Sequence, residues 1–369
     1  MKVCHLTTVH PATDIRIFHK ECISLAKAGH EVTLVALNAK PGVVDGVTII
    51  GPRLQQTNRI MRFFRGGRLV FREALKVDAD VYHSHDPELM FRMLRMKKKG
   101  KKVICDIHED LPRQIATKHW IPGFLKGIAS CLIEYMENHG ARKFDAIVTA
   151  TPHLRQRFSK YNARTVAVCN FPEPADFPGH TGREEQAPAV CYAGGLFRSR
   201  GITQLMAAAH RAGVPLRLAG QFSPETYQAE LMQLPAWENV RFHGFLDRQG
   251  ISRLLRASTI GALTLLPHES YKKAYPIKLF EYMAAGIPVV ASGFPLWKEI
   301  VEGNRCGISV DPLDTAAIAE AITTLATDRR LALEMGCNGR KAVAEKYNWK
   351  SQEAILLGLY ESLCKPPSP

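Results

Sequence analysis

Lys278 and Glu281 are the two side chains in this chain whose types and spacing speak most directly of chemistry. They lie in the segment Tyr275-Pro-Ile-Lys-Leu-Phe-Glu-Tyr-Met-Ala-Ala-Gly-Ile-Pro-Val-Val-Ala-Ser292. Three residues apart, they share one face of a helix. Pro276 suits the start of that helix, where no N–H is needed, and Gly286 suits its end. Ile287 to Ala291 follows as an apolar, β-branched run that reads as a buried strand. A cation and a carboxylate are thereby set at a helix N-terminus, a place that already attracts anions. The pair suits a ligand that carries both phosphates and hydroxyls, such as a sugar nucleotide.

The same segment closely resembles the donor-binding motif of glycosyltransferase family 4, retaining enzymes of the GT-B fold. In particular it resembles the form Pro-x-Lys-Leu-Phe-Glu-Tyr-Met-Ala-Ala-Gly of bacterial surface-polysaccharide transferases. Many family members carry two glutamates separated by seven residues. Glu281 matches the second, whereas the first falls on Lys273, so the two-glutamate form does not apply. The resemblance implies that Glu281 holds the ribose hydroxyls, which an ionised carboxylate can accept together. A helix-surface Glu281–Lys278 pair, worth little, is the competing reading.

Upstream, Tyr192-Ala-Gly-Gly-Leu-Phe-Arg-Ser-Arg-Gly-Ile202 follows a strand-like run. Gly194 and Gly195 allow a backbone to approach a ligand closely. Arg198 and Arg200 offer planar forks of donors that match phosphate. The resemblance places Arg200 on the donor diphosphate. A second cation of the family pattern falls on Gly195, which leaves Lys278 as its substitute. Lys278 and Arg200 would then offset the charge that grows on a departing diphosphate. His268, in the polar stretch after Gly261-Ala-Leu-Thr-Leu-Leu-Pro267, is implied to approach the donor sugar, and Phe245, after His243-Gly244, to lie near the base. Ordinary loop polarity is the competing reading for both.

In the first half, His108 ends the strand Lys102-Val-Ile-Cys-Asp-Ile-His108. The resemblance implies a role for it beside the sugar and the anomeric centre, with Glu109 and Asp110 orienting it or binding acceptor hydroxyls. His10, Asp14 and Arg16 follow the first strand and are acceptor or phosphate candidates, Asp14 alternatively a plain helix cap. In Tyr82-His-Ser-His-Asp-Pro-Glu88, His83 and His85 project to one side of an extended chain. Two histidines would suit a metal, but no third ligand is spaced with them, and GT-B enzymes generally need none. His85 therefore reads as acceptor-site structure, and Asp86 as the cap of the helix that follows. No metal and no cofactor are expected; the nucleotide sugar is a substrate.

These residues need a frame, and the chain supplies one. At 369 residues it is too long for one ordinary core. Strand-like runs at 3–9, 31–37, 46–50, 79–84, 102–107, 145–150 and 166–170 alternate with helical patterns at 16–28, 58–76, 88–96, 122–143 and 152–160. A second series, with strands at 189–193, 215–219, 240–243, 260–265, 287–291 and 307–310, repeats the alternation. That pattern gives parallel sheets with helices on both faces. Between the series, residues 171–188 carry four prolines and read as a linker. The expected fold class is α/β, two doubly wound Rossmann-like domains that face a cleft: 1–170 on the acceptor side, 189–346 on the nucleotide-sugar side, and 347–369 as a helix crossing back to the first domain, with a tail.

Charge is distributed unevenly. Residues 1–170 hold 28 Lys+Arg against 15 Asp+Glu, and the remainder holds 21 against 20. The first half is therefore the part that meets something anionic. Arg59, Arg62, Arg65, Arg68, Arg72 and Lys76 form a basic stripe if helical, although Gly66-Gly67 would weaken or break the helix. Ile60, Met61, Phe63, Phe64, Val70 and Phe71 lie beside it, and His119-Trp-Ile-Pro-Gly-Phe-Leu-Lys126 adds an aromatic patch. Basic surface with exposed aromatics fits anionic lipid headgroups, with a solvated helix face as the competing reading. No nucleic-acid signature accompanies the charge. Nine scattered cysteines without a CxxC pair read as reduced thiols, and neither a leader segment nor a membrane span is evident.

The expected function is transfer of a sugar, with retention, from a nucleotide-diphosphate donor to a lipid-linked saccharide in polysaccharide biosynthesis. The expected location is the cytoplasm, peripheral on the inner face of the plasma membrane, with anionic lipid and no nucleic acid as partners. A sugar-nucleotide epimerase of related fold is the alternative, and a nucleic-acid-binding protein a further one.

Overall fold

The computed structural model describes residues 1–55, 61–115, 122–178 and 186–364. These residues form two compact units, Met1–Asn170 with the segment from Trp349, and Phe171–Asn348.

In unit 1, eight strands form one sheet: β1 (Lys2–Thr7), β2 (Glu31–Ala36), β3 (Gly42–Val44), β4 (Val47–Ile50), β5 (Val81–Ser84), β6 (Lys102–Ile107), β7 (Ala146–Thr149) and β8 (Thr165–Ala167). The order is β3-β4-β2-β1-β5-β6-β7-β8. All neighbours are parallel except β3–β4. β3 is absent from the sequence reading. Its signal is the Asp45-Gly46 pair, both with positive φ, which makes the tight turn of a hairpin. The chain adds strands on one side of β1 and then, from β5, on the other. The loops that follow β1, β5 and β6 therefore gather at a topological switch point.

The register decides which side chains meet. His5 of β1 stands opposite His83 of β5, and His83 opposite Ile104 of β6. Because side chains alternate along a strand, His5, His83 and Asp106 share the face on which Val3, Leu34, Val81 and Ile104 form one core. That face is covered by the helical segment Ile15–Lys27 and by the final helix Trp349–Cys364. Trp349 donates its indole N–H to Ser24 Oγ at 3.0 Å, which ties the final helix to this core. Cys4, Leu6, Tyr82, Val103 and Cys105 build the opposite core.

The Gly66-Gly67 pair does not break its helix. A π-helical turn Arg62–Gly66 runs directly into the α-helix Gly67–Val77, and both glycines keep right-handed helical angles. A Cβ on Gly67 would lie 2.9 Å from the Arg92 guanidinium, which would have to shift to admit it.

Unit 2 holds an all-parallel sheet of six strands in the order β11-β10-β9-β12-β13-β14. They are β9 (Val190–Ala193), β10 (Leu216–Ala219), β11 (Val240–Phe242), β12 (Ile260–Leu263), β13 (Val289–Ser292) and β14 (Gly307–Val310). The switch point lies between β9 and β12. Part of the expected linker belongs to this unit: Phe171 packs on Tyr275, Phe280 and Tyr347, and Phe177 is buried. Residues 179–185 lie outside the described ones. No helix of the described residues is long and apolar enough to cross a membrane, and their cysteines are free thiols.

Candidate functional site

The Gly-rich turn and the Lys278 segment, 84 residues apart in sequence, meet in unit 2. Pro276 occupies the N-cap position of the helix Ile277–Ala285, and Gly286 ends it in the left-handed conformation. Lys278, in its first turn, extends towards the loop after β9. There Gly194 has φ +143°, and a Cβ on it would fall 2.2 Å from Lys278 Cε and 2.5 Å from Nζ. Glycine at 194 is thus what leaves room for the ammonium. Nζ also lies 5.7 Å from the centre of the Tyr192 ring, a modest cation–π contact. Burial, and next the Arg200 charge, pull the Lys278 amine down to about 8, with Glu281 opposing.

Arg200 completes the pair of cations. It ends a single helical turn, Arg198–Arg200, before the helix Ile202–Arg211. Between them Gly201 adopts φ +68°, and a Cβ there would lie 2.0 Å from the Thr264 carbonyl oxygen, so this turn is pressed against the end of β12. The Arg200 guanidinium sits 4.8 Å from the Tyr271 ring centre. Its Nε and the Thr264 hydroxyl are shut from solvent, with no hydrogen-bond partner among the described residues. Two cations and an uncommitted donor at one switch point are what an oxyanion requires.

The other unit 2 candidates are disposed differently. Gly195 accepts the Tyr192 hydroxyl at 3.1 Å. Arg198 pairs with Glu230 and lies over the Tyr227 ring; its expected place on a phosphate is replaced by this pair. His268 caps the short helix Glu269–Lys272, where the sequence reading had only a loop, and its Nδ1 meets Ser270 Oγ at 2.7 Å. The Phe245 ring is 74% exposed, free of the core. Glu281 is partly buried one turn after Lys278. Tyr192 and Tyr271, which frame the two cations, were not singled out in the sequence. Tyr192 lies near the end of β9 and Tyr271 in the short helix Glu269–Lys272.

Unit 1 gathers a polar cluster around Asp106, a residue the sequence reading passed over. Asp106 takes both arms of Arg16, Nε and Nη2, at 2.9 Å each. Its Oδ2 also meets His108 Nε2 at 2.9 Å and His85 Nδ1 at 3.2 Å. Asp106 is buried, yet Arg16 and the two histidines hold its carboxyl well below the usual range. Glu21, 3.1 Å from Arg16, is pushed up by burial and by Asp106. Burial likewise keeps His5, His83 and His85 neutral.

Two expectations are corrected here. Arg16 and His85 are 4% and 3% exposed, and Arg16 spends its remaining arm on the Val168 carbonyl. They are the interior support of the site and not surface groups for an acceptor. Asp86 does not cap the following helix with its side chain. It accepts from Thr7 Oγ1 at 2.8 Å and Thr8 N at 2.6 Å, fastening the loop after β1.

Four candidates stay open to solvent. His108 and His10 are half-buried, with rings 5.0 Å apart. Burial works against a charge on His10, but Asp14, Asp86 and Asp106 more than offset it and raise its basicity. Asp14 caps the helical segment through Arg16 N and Ile17 N, as the plainer reading had it, and is held at about 2 chiefly by His10 against the effect of burial. Glu109 is exposed and accepts from Gln114 at 2.7 Å.

The expected basic stripe is only partly on the surface. Arg62 turns inward to Glu88 at 3.7 Å. Arg65, Arg68 and Arg72 are exposed, as are Phe63 and Phe64. Arg59, Ile60, His119, Trp120 and Ile121 lie outside the described residues. The helix Gly123–Ala141 adds what the sequence reading did not identify: Phe124, Ile128, Leu132 and Tyr135 are all exposed. Their spacing of four, four and three makes one apolar stripe.

Comparison with known proteins agrees with this architecture. A family model described as "Glycosyl transferases group 1" matches residues 176–342, and one described as "Glycosyltransferase Family 4" matches residues 17–171. A glycogen synthase of Mycobacterium tuberculosis is 23% identical over 249 residues, 64% of this chain and 59% of that protein. The chain thus matches about three fifths of the length of such curated relatives. A sucrose-phosphate synthase structure from Thermosynechococcus elongatus superposes with TM-score 0.78 at 19% identity, covering 98% of this chain and 99% of that one. Anabaena HepE, solved in complex with UDP-glucose, superposes with TM-score 0.72 at 14% identity, covering 98% and 100%. The expected fold, with two Rossmann-like α/β domains, is borne out.

Proposed function

We propose that this chain, which belongs to glycosyltransferase family 4, moves a sugar from a nucleotide diphosphate to an acceptor hydroxyl with retention of anomeric configuration. One observation carries the reading: the Lys278 ammonium, fitted over Gly194 beside Arg200 at a helix N-terminus. The two cations bind the diphosphate. They gain most when the glycosidic C–O bond breaks and negative charge collects on the leaving phosphate, because charge stabilisation that grows along the reaction lowers the barrier. The acceptor hydroxyl attacks on the face the phosphate leaves. Its proton passes to a phosphate oxygen, so the products are the glycoside and the nucleoside diphosphate. No carboxylate nucleophile takes part. Side-chain cations supply the charge, so donor binding is expected to survive chelators. Glu281 holds the ribose hydroxyls, Gly195, Phe245 and His268 complete the donor side, and the family resemblance assigns His108 a role at the sugar.

The acceptor is a lipid-linked saccharide in this reading. Its support is the exposed Phe63, Phe64 and Arg65 together with the Phe124–Tyr135 stripe, in the half of the chain with the excess positive charge. Apolar side chains amid cations suit the headgroup region of an anionic bilayer and a peripheral place on the inner face of the plasma membrane. The decisive experiment incubates the chain with UDP-, GDP- and dTDP-sugars, first alone and then with lipid-linked acceptors. One donor that stabilises the fold and yields an α- or β-product matching its own anomer is expected. An isomerised donor in the absence of acceptor would identify an epimerase instead.

A further inference from the structure

The buried histidines of unit 1 go beyond that reading. We infer that His5, His83, His85 and Glu21 form a site for one divalent transition metal, zinc by its chemistry, that holds the first sheet to its covering helices. One ligand atom from each lies within 4.8 Å of all the others. His5 Nδ1 and His85 Nε2 are 2.9 Å apart, and Glu21 Oε2 is 4.0 Å from both His83 Nδ1 and His85 Nε2. A tetrahedral zinc with bonds near 2.0–2.1 Å separates its ligands by about 3.3 Å, between those values. All four residues are buried, His85 at 3% exposure and the others at 0%.

Three further observations favour an ion over a plain polar core. Neither Glu21 oxygen has a hydrogen-bond partner of good geometry among the described residues, Arg16 Nε lying 3.1 Å from Oε1, although such buried atoms are normally satisfied. The outer nitrogens of two imidazoles are positioned as in metal-binding histidines, His85 Nδ1 on the Asp106 carboxylate at 3.2 Å and His5 Nε2 on the Tyr360 hydroxyl at 3.3 Å, while His83 Nδ1, 2.9 Å from the same hydroxyl, would exchange that contact for the ion. The donor set, three imidazoles and one carboxylate, suits zinc better than the oxygen-seeking magnesium or calcium. Arg16, against both Glu21 and Asp106, is a cation that would oppose the ion, and these two carboxylates, 3.1 and 2.9 Å from its Nε, screen it. The ligands come from β1, the helical turn Ile15–Cys22 and the end of β5, so the ion would join elements that are distant in sequence.

The test uses the full chain without a polyhistidine tag, expressed with zinc and then passed over a chelating resin. Elemental analysis is expected to find about one zinc per chain. Refolding from denaturant in zinc should give a higher melting temperature than refolding in chelator, and cobalt in place of zinc should give the visible spectrum of a four-coordinate N/O site. His83→Gln and Glu21→Gln should lower the zinc content roughly tenfold or more. If either variant fails to fold, the wild-type stoichiometry and cobalt spectrum still decide. Substoichiometric metal with equal melting temperatures in zinc and chelator would overturn the site and leave a proton-sharing core. Full retention of zinc in the folded variants would overturn it too.

Discussion

Each unit carries its polar residues at the switch point of a parallel sheet, but the two treat charge in opposite ways. In unit 2, Lys278 and Arg200 repel each other, lie partly desolvated and leave a donor uncommitted. In unit 1, Arg16 and Asp106 satisfy one another inside the core. The contrast runs against net charge. The half with 21 basic and 20 acidic residues holds the two close, desolvated cations, while the strongly basic half keeps its cations on the surface or in internal pairs. A binding site is made by two or three charges at close range in a dry setting, where screening is weak. Overall charge acts over about a Debye length and attracts surfaces.

The comparison can be broken first at Asp106. Asp106→Ala takes from buried Arg16 its two-armed partner, leaving only Glu21 and the Val168 carbonyl, and should cost about 3–5 kcal/mol of stability, read from denaturant midpoints. A loss below 1 kcal/mol would mean that the unit 1 cluster is not the internal support described here. Lys278→Met should do the reverse. It removes a desolvated charge, so the melting temperature holds or rises, while donor affinity falls about 10- to 100-fold by calorimetry, the worth of a charge-assisted contact.

Titration sharpens the same point. With its amine at about 8, Lys278 loses charge as pH rises past 8, so donor affinity should weaken there, by up to about tenfold per unit, and be unaffected by this group below. Stability should move oppositely. Between about pH 8 and 10.5 the unfolded chain binds the proton that the folded chain has released, so this residue makes stability rise with pH in that window. A donor affinity flat from pH 7 to 9.5 would remove Lys278 from the site. The smallest effect is expected at the surface of unit 1. Arg65→Glu with Leu132→Glu should lower binding to anionic phosphatidylglycerol vesicles several-fold without changing donor affinity, since each basic residue near such a surface contributes about 1 kcal/mol. Unchanged sedimentation with vesicles would withdraw the membrane reading.

Much of unit 2 was legible in advance because its signals are local. Pro276, Gly286 and the three-residue spacing of Lys278 and Glu281 describe a capped helix without reference to any distant residue. Even there, Arg198 and Arg200 look alike in sequence, and their separation into a Glu230 pair and a cation of the site follows from which side of one helical turn each occupies. Unit 1 was less legible. Asp106 lies in the middle of an apolar strand and has no local mark, and Asp86 has the position of a helix cap while its carboxylate serves a loop almost eighty residues earlier. The hairpin strand β3 is different again, since its Asp45-Gly46 turn was written plainly and its three-residue length concealed it.

By itself, then, the sequence determined the alternation of strands and helices, the two-unit organisation, the Gly-rich loop, the capped helix and the basic half, because each depends on neighbours within a few residues or on composition. Only the tertiary structure decided that Lys278 lies over Gly194, that Arg16 is an interior residue, and that His5, Glu21, His83 and His85 converge. Parallel strands that are adjacent in space are remote in the chain, and their register, which no local pattern encodes, chooses which side chains face each other.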